Sequence, residues 1–293
     1  MLDFRPVLYI IGILLTTLAA AMCAPLVADL VVGHPDWQVF AGSAGLTAFI
    51  GITLLLTTMA PPDRFSVRQA FVLTTLSWLA MTFFAALPFV FADLGLSFTD
   101  AFFEAMSGLT TTGSTVITSL DTAPSGILLW RAILQWLGGI GIIVMSIAIL
   151  PMLKIGGNQL FQMESSDRSE KVLPRVAQIA SGVGFVYLAL TAGCAALLWM
   201  AGLKGFDAIA HGMTTIATGG FSTRDASIGA FLDPTVEVII TCFMLLGALP
   251  FVLYLQAVRG KPMVILRDHQ VRWFFWIVAF FVTAVAFAHH VNN

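Results

Sequence analysis

GLTTTGSTV, Gly108 to Val116, sets four threonines and two glycines into a chain that is otherwise almost continuously apolar. The pattern returns downstream. Moved by 107 positions, DAFFEAMSGLTTTGS from Asp100 lies without a gap over DAIAHGMTTIATGGF from Asp207. Asp100/Asp207, Ala101/Ala208, Met106/Met213, Thr111/Thr218 and Gly113/Gly220 are identical, and Ser107/Thr214 and Leu109/Ile216 are similar. Each copy is flanked by an apolar run before and after it. A chance Thr-Gly turn would not recur in the same register with the same flanks, so the unit is helix, short segment, loop, helix.

The setting is a bilayer. Of 293 residues 58% are hydrophobic and 10% charged, and the mean hydropathy is +0.93, which leaves too little polar surface for a soluble globule. A net charge of −2 without a basic block gives no reason to expect nucleic acid as a partner. Cys23, Cys194 and Cys242 lie far apart inside apolar runs, without metal or redox spacing, and read as small core residues. LTTLAAAMCAP resembles a signal peptide, but its apolar run extends from Val7 to Val32, long enough to cross a core of about 30 Å. It reads as a retained transmembrane helix.

Further runs cover Val39–Met59, Phe71–Phe91, Ile127–Met152, Ile179–Ala201, Thr235–Val258 and Val271–Phe287, giving seven expected crossings. If each crosses, eleven basic residues (Arg5, Arg64, Arg68, Lys154, Arg168, Lys171, Arg175, Arg259, Lys261, Arg267, Arg272) share one side, and three (Arg131, Lys204, Arg224) the other. The positive-inside rule makes the first side cytoplasmic, with the amino terminus inside and both Thr-Gly loops outside.

From Asp100 to Leu109 the short segment is ten residues, about 15 Å as a helix, half the hydrocarbon depth. It dips in and stops midway. Asp100 and Asp207 suit the positive end of the helix dipole, and the negative end then points at the membrane centre, where it favours a cation. The chain must climb back as extended backbone, which is tolerated at that depth only inside protein or along a water-filled path. The loop therefore lines a pore. Backbone carbonyls and threonine hydroxyls are hard oxygens suited to an alkali cation, with glycine supplying positive-φ backbone. The loops hold no acidic ring and no His/Cys cluster, which argues against calcium and transition metals.

FFEAMSGLTTTGST, QWLGGIGIIVMSIAILPML and HGMTTIATGGFST together resemble the Trk/Ktr/HKT superfamily of potassium-uptake proteins, specifically its bacterial Trk-type membrane subunit, over essentially the whole chain. The resemblance implies an all-α transmembrane, potassium-channel-like fold: four helix–pore-loop–helix units around one pore, preceded by an extra helix pair. It implies a filter glycine in each unit, here Gly113 with Thr110, Thr111, Thr112 and Ser114, and Gly220 with Ala217, Thr218, Gly219 and Phe221. Serine in the first filter position goes with sodium preference in that superfamily, so Gly113 points to potassium. Further implications are a bacterial inner-membrane location, a cytoplasmic nucleotide-binding regulatory subunit and a homodimer in membrane lipid; Lys154–Arg175 and Arg259–Arg272 are expected to face that subunit. Potassium is then the substrate, taken up passively or by symport, with no bound cofactor and no enzymatic reaction.

Asp100, Glu104, Asp207 and His211 are the expected supports of the short helices. An ionisable group at membrane depth is costly and hence a functional candidate, and Glu104 reads as a brace on filter backbone rather than an ion ligand. Its repeat partner His211 reads as a packing residue. Gly138, Gly139 and Gly141 in LGGIGII resemble part of a nucleotide fingerprint, but no strand precedes them and close helix approach is the expected role. Arg131 and Glu237 near outer helix ends are expected to snorkel or pair. Paired residues for proton transfer at membrane depth, which an intramembrane enzyme would need, are absent from this pattern.

The expected organisation is a helix pair over 1–65, a first unit over 66–152, a cytoplasmic connection over 153–178, a second unit over 179–260, and a loop with the first helix of a third unit over 261–293. Four units plus the helix pair would need roughly 490 residues. The expectation is therefore that this chain alone does not conduct and is a fragment of such a subunit. The alternative is a two-loop cation channel that dimerises.

Overall fold

The computed structural model describes residues 3–59, 66–153 and 172–292. Arg64, Lys154, Arg168 and Lys171, and with them most of the expected cytoplasmic connection, lie outside the described residues.

Two helices open the chain. α1 (Arg5–Val32) starts with Pro6, whose missing N–H costs nothing in a first turn, and ends at Gly33 with φ 77°. There the Gly33 and His34 amides close onto the Leu30 and Asp29 carbonyls at 3.2 and 2.9 Å. α2 (Trp37–Thr57) packs back along α1. Small residues make the close approach possible: a Cβ on Gly12 would stand 2.9 Å from the Gly51 carbonyl, and one on Gly51 2.7 Å from Thr16 Oγ1.

The first unit follows as α3 (Val67–Phe91), the short α4 (Phe98–Leu109) and α5 (Ser125–Leu153). The second begins with α6 (Val172–Met200) and the short α7 (Gly205–Ile216). Both short helices have 12 residues, about 18 Å, and their starts, Phe98 and Gly205, keep the 107-residue offset. They begin ahead of the aspartates expected to start them. In α4 the reason is Ser97, whose hydroxyl accepts from the Asp100 amide at 3.2 Å while Asp100 Oδ2 lies 3.3 Å from the Ser97 amide, a reciprocal cap that places Asp100 in the first turn. α6 likewise starts well before Ile179.

The expected crossing Thr235–Val258 is not one helix. It divides into α8 (Pro234–Gly247) and α9 (Phe251–Val258), bent by 90°. Pro250 has no N–H to give the helical ladder, and its ring excludes a continuing turn. Among the described residues six helices are thus long and apolar enough to cross a membrane, or seven if the bent pair counts as one. The stretch Arg259–Arg272, expected as a loop, holds the short α10 (Met263–Arg267) and the first turn of α11 (His269–Asn292).

The architecture is all-α and membrane-type, a helix pair followed by two units, the first of two long helices about a short one and the second of a long helix, a short one and the bent pair. One core gathers Leu15, Leu18, Met22, Phe40, Phe89, Leu109, Trp130 and Leu134 from α1 to α5. A second gathers Tyr187, Leu198, Ile216, Val236, Ile240 and Phe251 from α6 to α9. Of the cysteines, Cys194 is buried, but Cys23 and Cys242 are exposed on apolar outer faces rather than in the core. α11 leaves Trp273, Trp276, Phe280 and Phe281 exposed.

Candidate functional site

Both short helices end in the same backbone motif. After α4, the Thr111 amide bonds to the Gly108 carbonyl at 3.0 Å and the Thr112 amide to Ser107 at 2.9 Å; after α7, Thr218 bonds to Thr215 at 3.0 Å and Gly219 to Thr214 at 2.9 Å. This is the paired closure of a left-handed helix end, with threonine where glycine is usual. Thr111 has φ 55° and Thr218 φ 52°, and two residues on Gly113 has φ 79° and Gly220 φ 80°. A β-branched residue in that region is strained by about 1–2 kcal/mol, yet both copies hold it.

A strand sends successive carbonyls to opposite sides; alternating the sign of φ turns them toward a common side. Among the described residues, the carbonyls of Thr110, Thr111, Thr112 and Gly113, and of Ala217, Thr218, Gly219 and Gly220, accept no hydrogen bond. The Ser114 carbonyl differs, accepting from Ser107 Oγ at 2.6 Å. Thr110 Oγ1 is also committed, donating to the Met106 carbonyl at 2.7 Å. Thr112, Ser114, Thr218 and Gly220 are exposed, whereas Ala217 and Phe221 are buried against the protein. The residues expected to form the filter thus come together, with Ala217, Gly219 and Phe221 buried among them.

The two loops touch at one seam. A Cβ on Gly113 would fall inside the Gly219 carbonyl oxygen, whereas one on Gly220 would meet open space. Gln135 of α5 stands behind the seam, fully buried, its Oε1 accepting from the Phe221 amide at 3.0 Å.

Below the loops, repeat-related positions do different chemistry. The buried Glu104 carboxylate accepts from Thr115 Oγ1 at 2.9 Å, the Val116 amide at 2.9 Å and Arg131 Nε at 2.8 Å. Arg131, itself buried, donates through Nη1 to the Ser222 carbonyl at 2.7 Å and lies 4.1 Å over the Phe221 ring. One guanidinium therefore joins the first short helix to the second loop, a paired arrangement rather than a snorkelling one. His211 instead faces the Asp207 carbonyl through Nδ1 at 2.8 Å and Ser222 Oγ through Nε2 at 3.0 Å. A carbonyl accepts only, so Nδ1 carries the proton, while Nε2 meets a hydroxyl that can either donate or accept. Asp207 is buried and accepts from Thr223 Oγ1 at 2.6 Å and Arg224 Nη2 at 3.0 Å. Asp100 serves its helix cap, its Oδ2 accepting from Ser97 Oγ at 2.7 Å; Glu237 is exposed in the first turn of α8.

Several residues here escaped the sequence reading. Asp225 Oδ1 accepts from the Leu120 amide at 2.8 Å, tying the outer ends of the two loops together; the backbone amides of Leu120 and Asp121 hold its carboxyl below the usual carboxylate range. Arg224 also reaches Asp121 at 3.5 Å, and its bond to Asp207 raises its own proton affinity. Asp29, buried in α1, accepts from the Gly126 amide at 2.6 Å and so caps α5. Asp29 and Gln135 carried a visible signal, a polar group inside an apolar run; the rest required knowledge of which loops meet.

Glycines close the buried carboxyl ends of the short helices. A Cβ on Gly138 would land on the Leu109 carbonyl, and one on Gly247 would stand 2.9 Å from the Ile216 carbonyl, while Gly139 packs against Tyr187 Oη and Ala217. Gly141 meets nothing within 4 Å. Gly138→Ala is therefore expected to lower the melting temperature of the detergent-purified protein by several degrees, and Gly141→Ala to leave it unchanged. Equal melting of the two variants would refute this account of the motif.

Comparison with known proteins agrees with this geometry. The family model described as TrkH, cation transport protein, matches residues 37–292. The chain is 44% identical to the Trk system potassium uptake protein TrkI of Halomonas elongata, over 92% of this chain and 55% of that protein. It is 37% identical to the Trk system potassium uptake protein TrkH of Escherichia coli K12, over 100% of this chain and 62% of that one. The crystal structure of the potassium transporter TrkH from Vibrio parahaemolyticus superposes with a TM-score of 0.89 at 36% identity, covering 100% of this chain and 61% of the other. The chain thus spans 55% to 62% of the length of these relatives. With its paired short helices and left-handed Thr-Gly loops, the chain belongs to the TrkH family of cation transport proteins.

Proposed function

We propose that these two loops are adjacent sectors of a potassium-uptake pore in the bacterial inner membrane, with carbonyls of Thr110–Gly113 and Ala217–Gly220 replacing part of the ion's hydration shell. The observation that carries this reading is the matched pair of left-handed residues in each loop, with a strained threonine at the same repeat-related position of both. Strain kept twice at one site is a mark of function rather than of stability. Gly113 abuts the neighbouring loop while Gly220 faces open space, so the pore wall continues beyond Gly220. Glu104, Arg131 and His211 brace the loops from behind.

The distribution of basic residues supports a cytoplasmic amino terminus and a cytoplasmic Arg259–Arg272 segment. A membrane potential supplies about 2.3 kcal/mol per 100 mV for each monovalent cation, roughly 40-fold accumulation. A gated passive path therefore suffices for uptake, and no symported ion is needed. A cytoplasmic nucleotide-binding regulatory subunit, docked on the inward segments of a homodimer, would supply the gating.

The test is rubidium uptake and growth on limiting potassium in cells deprived of their own uptake systems, expressing the protein that carries this sequence. Potassium-limited growth and saturable rubidium uptake are expected, with crosslinks from Arg259–Arg272 to a soluble nucleotide-binding subunit. Uptake no different from empty cells would refute the reading.

A further inference from the structure

Gln135 is polar, completely buried and only half satisfied. Its Oε1 is fixed by the Phe221 amide at 3.0 Å, which assigns the opposite end of the group as the donor Nε2. That nitrogen is buried and has no acceptor among the described residues. It stands at the seam of the two loops: a Cβ on Gly219 would lie 2.6 Å from it, and one on Gly113 3.7 Å. Buried amide donors are rarely left unpaired, and this one lies beside Gly113 and Gly219, whose carbonyls accept no hydrogen bond among the described residues.

We propose that Gln135 is a specificity-determining positioning residue of the pore. Its acceptor anchors the second loop, and its free donor engages the Gly113 or Gly219 carbonyl whenever that oxygen turns from the axis. A smaller cation is coordinated well only if the carbonyls rotate inward and close around it. A donor placed behind them opposes that rotation, and so penalises sodium more than potassium. This rests on the potassium-pore reading above and adds the residue that keeps the cage wide.

Gln135→Glu separates the two halves of the side chain. One carboxyl oxygen can still accept from the Phe221 amide, but once the carboxyl ionises, which burial shifts to higher pH, the other end no longer donates. The preference for rubidium over sodium, measured by sodium competition and normalised to protein in the membrane, is expected to fall on the order of tenfold, with the sodium inhibition constant changing more than the maximal rate. Lowering the external pH protonates the introduced carboxyl, restores a donor and recovers part of the preference. Gln135→Met, of similar volume, removes both polar ends and is expected to lose the preference without recovery in acid. If Gln135 serves only as an anchor, Gln135→Glu keeps the parental ion preference at every pH, and that result overturns the proposal. Should Gln135→Glu not accumulate, an unchanged preference in Gln135→Met would overturn it equally. Wild-type protein measured alongside keeps the two questions apart: no rubidium uptake by wild type refutes the pore itself, whereas wild-type uptake with an unmoved preference in the variants refutes only the role of Gln135.

Discussion

Replacing Gly113 with serine is expected to cut the preference of uptake for potassium over sodium by about tenfold or more. Two independent features of the site lead there. The residue holds φ 79°, a conformation that costs an L-residue with a side chain about 1–2 kcal/mol. Its Cβ direction is also filled, because a side chain there would displace the Gly219 carbonyl of the neighbouring loop. The loop cannot relieve both at once without moving oxygens that the ion uses. Since 1.4 kcal/mol is a factor of ten, even a partial loss of ion-site geometry reaches the expected size. The measurement is rubidium uptake under sodium competition, together with growth on limiting potassium at rising sodium. Identical ion ratios in the parent and Gly113→Ser would remove Gly113 from the filter.

The internal repeat made much of this legible. The 107-residue offset aligned Thr111 with Thr218 and Gly113 with Gly220 before any coordinates, and all four have positive φ. Glycine announced its half of that geometry, but threonine did not, because its ordinary preference is extended backbone. The helix closures were illegible for another reason. Gly138 covers Leu109 and Gly247 covers Ile216, so the partner glycines are two positions out of the repeat register, and a strict offset passes over Gly247. The break at Pro250 was visible as a residue type, yet the apolar run continues through it, and hydropathy alone cannot separate a bent pair from one span. Contacts that tie the two units together, such as Asp225 on Leu120 and Arg131 on Ser222, join residues about a hundred positions apart, and no local pattern encodes them.

Arg131→Met is expected to be the most damaging single change to the stability of the site, lowering it by about 3–5 kcal/mol. Arg131 and Glu104 are 1% and 0% exposed and 2.8 Å apart, so removing the guanidinium leaves a carboxylate buried without its counterion. The Ser222 carbonyl loses its 2.7 Å donor, and the contact over the Phe221 ring is lost with it. Glu104→Gln should be milder, because an amide oxygen still accepts from the Val116 amide and Thr115, leaving Arg131 bonded to Ser222 but without its carboxylate. Combining the two substitutions removes the uncompensated negative charge, so the double variant should melt above Arg131→Met although it carries more changes. Non-additivity of that sign is what a buried pair predicts, and independent contributions would place the double variant below both singles. Melting of purified protein in detergent, with membrane abundance alongside, decides between them. If Arg131→Met melts with the parent and keeps its ion preference, the bridge from the first short helix to the second loop is not what holds the two loops in register.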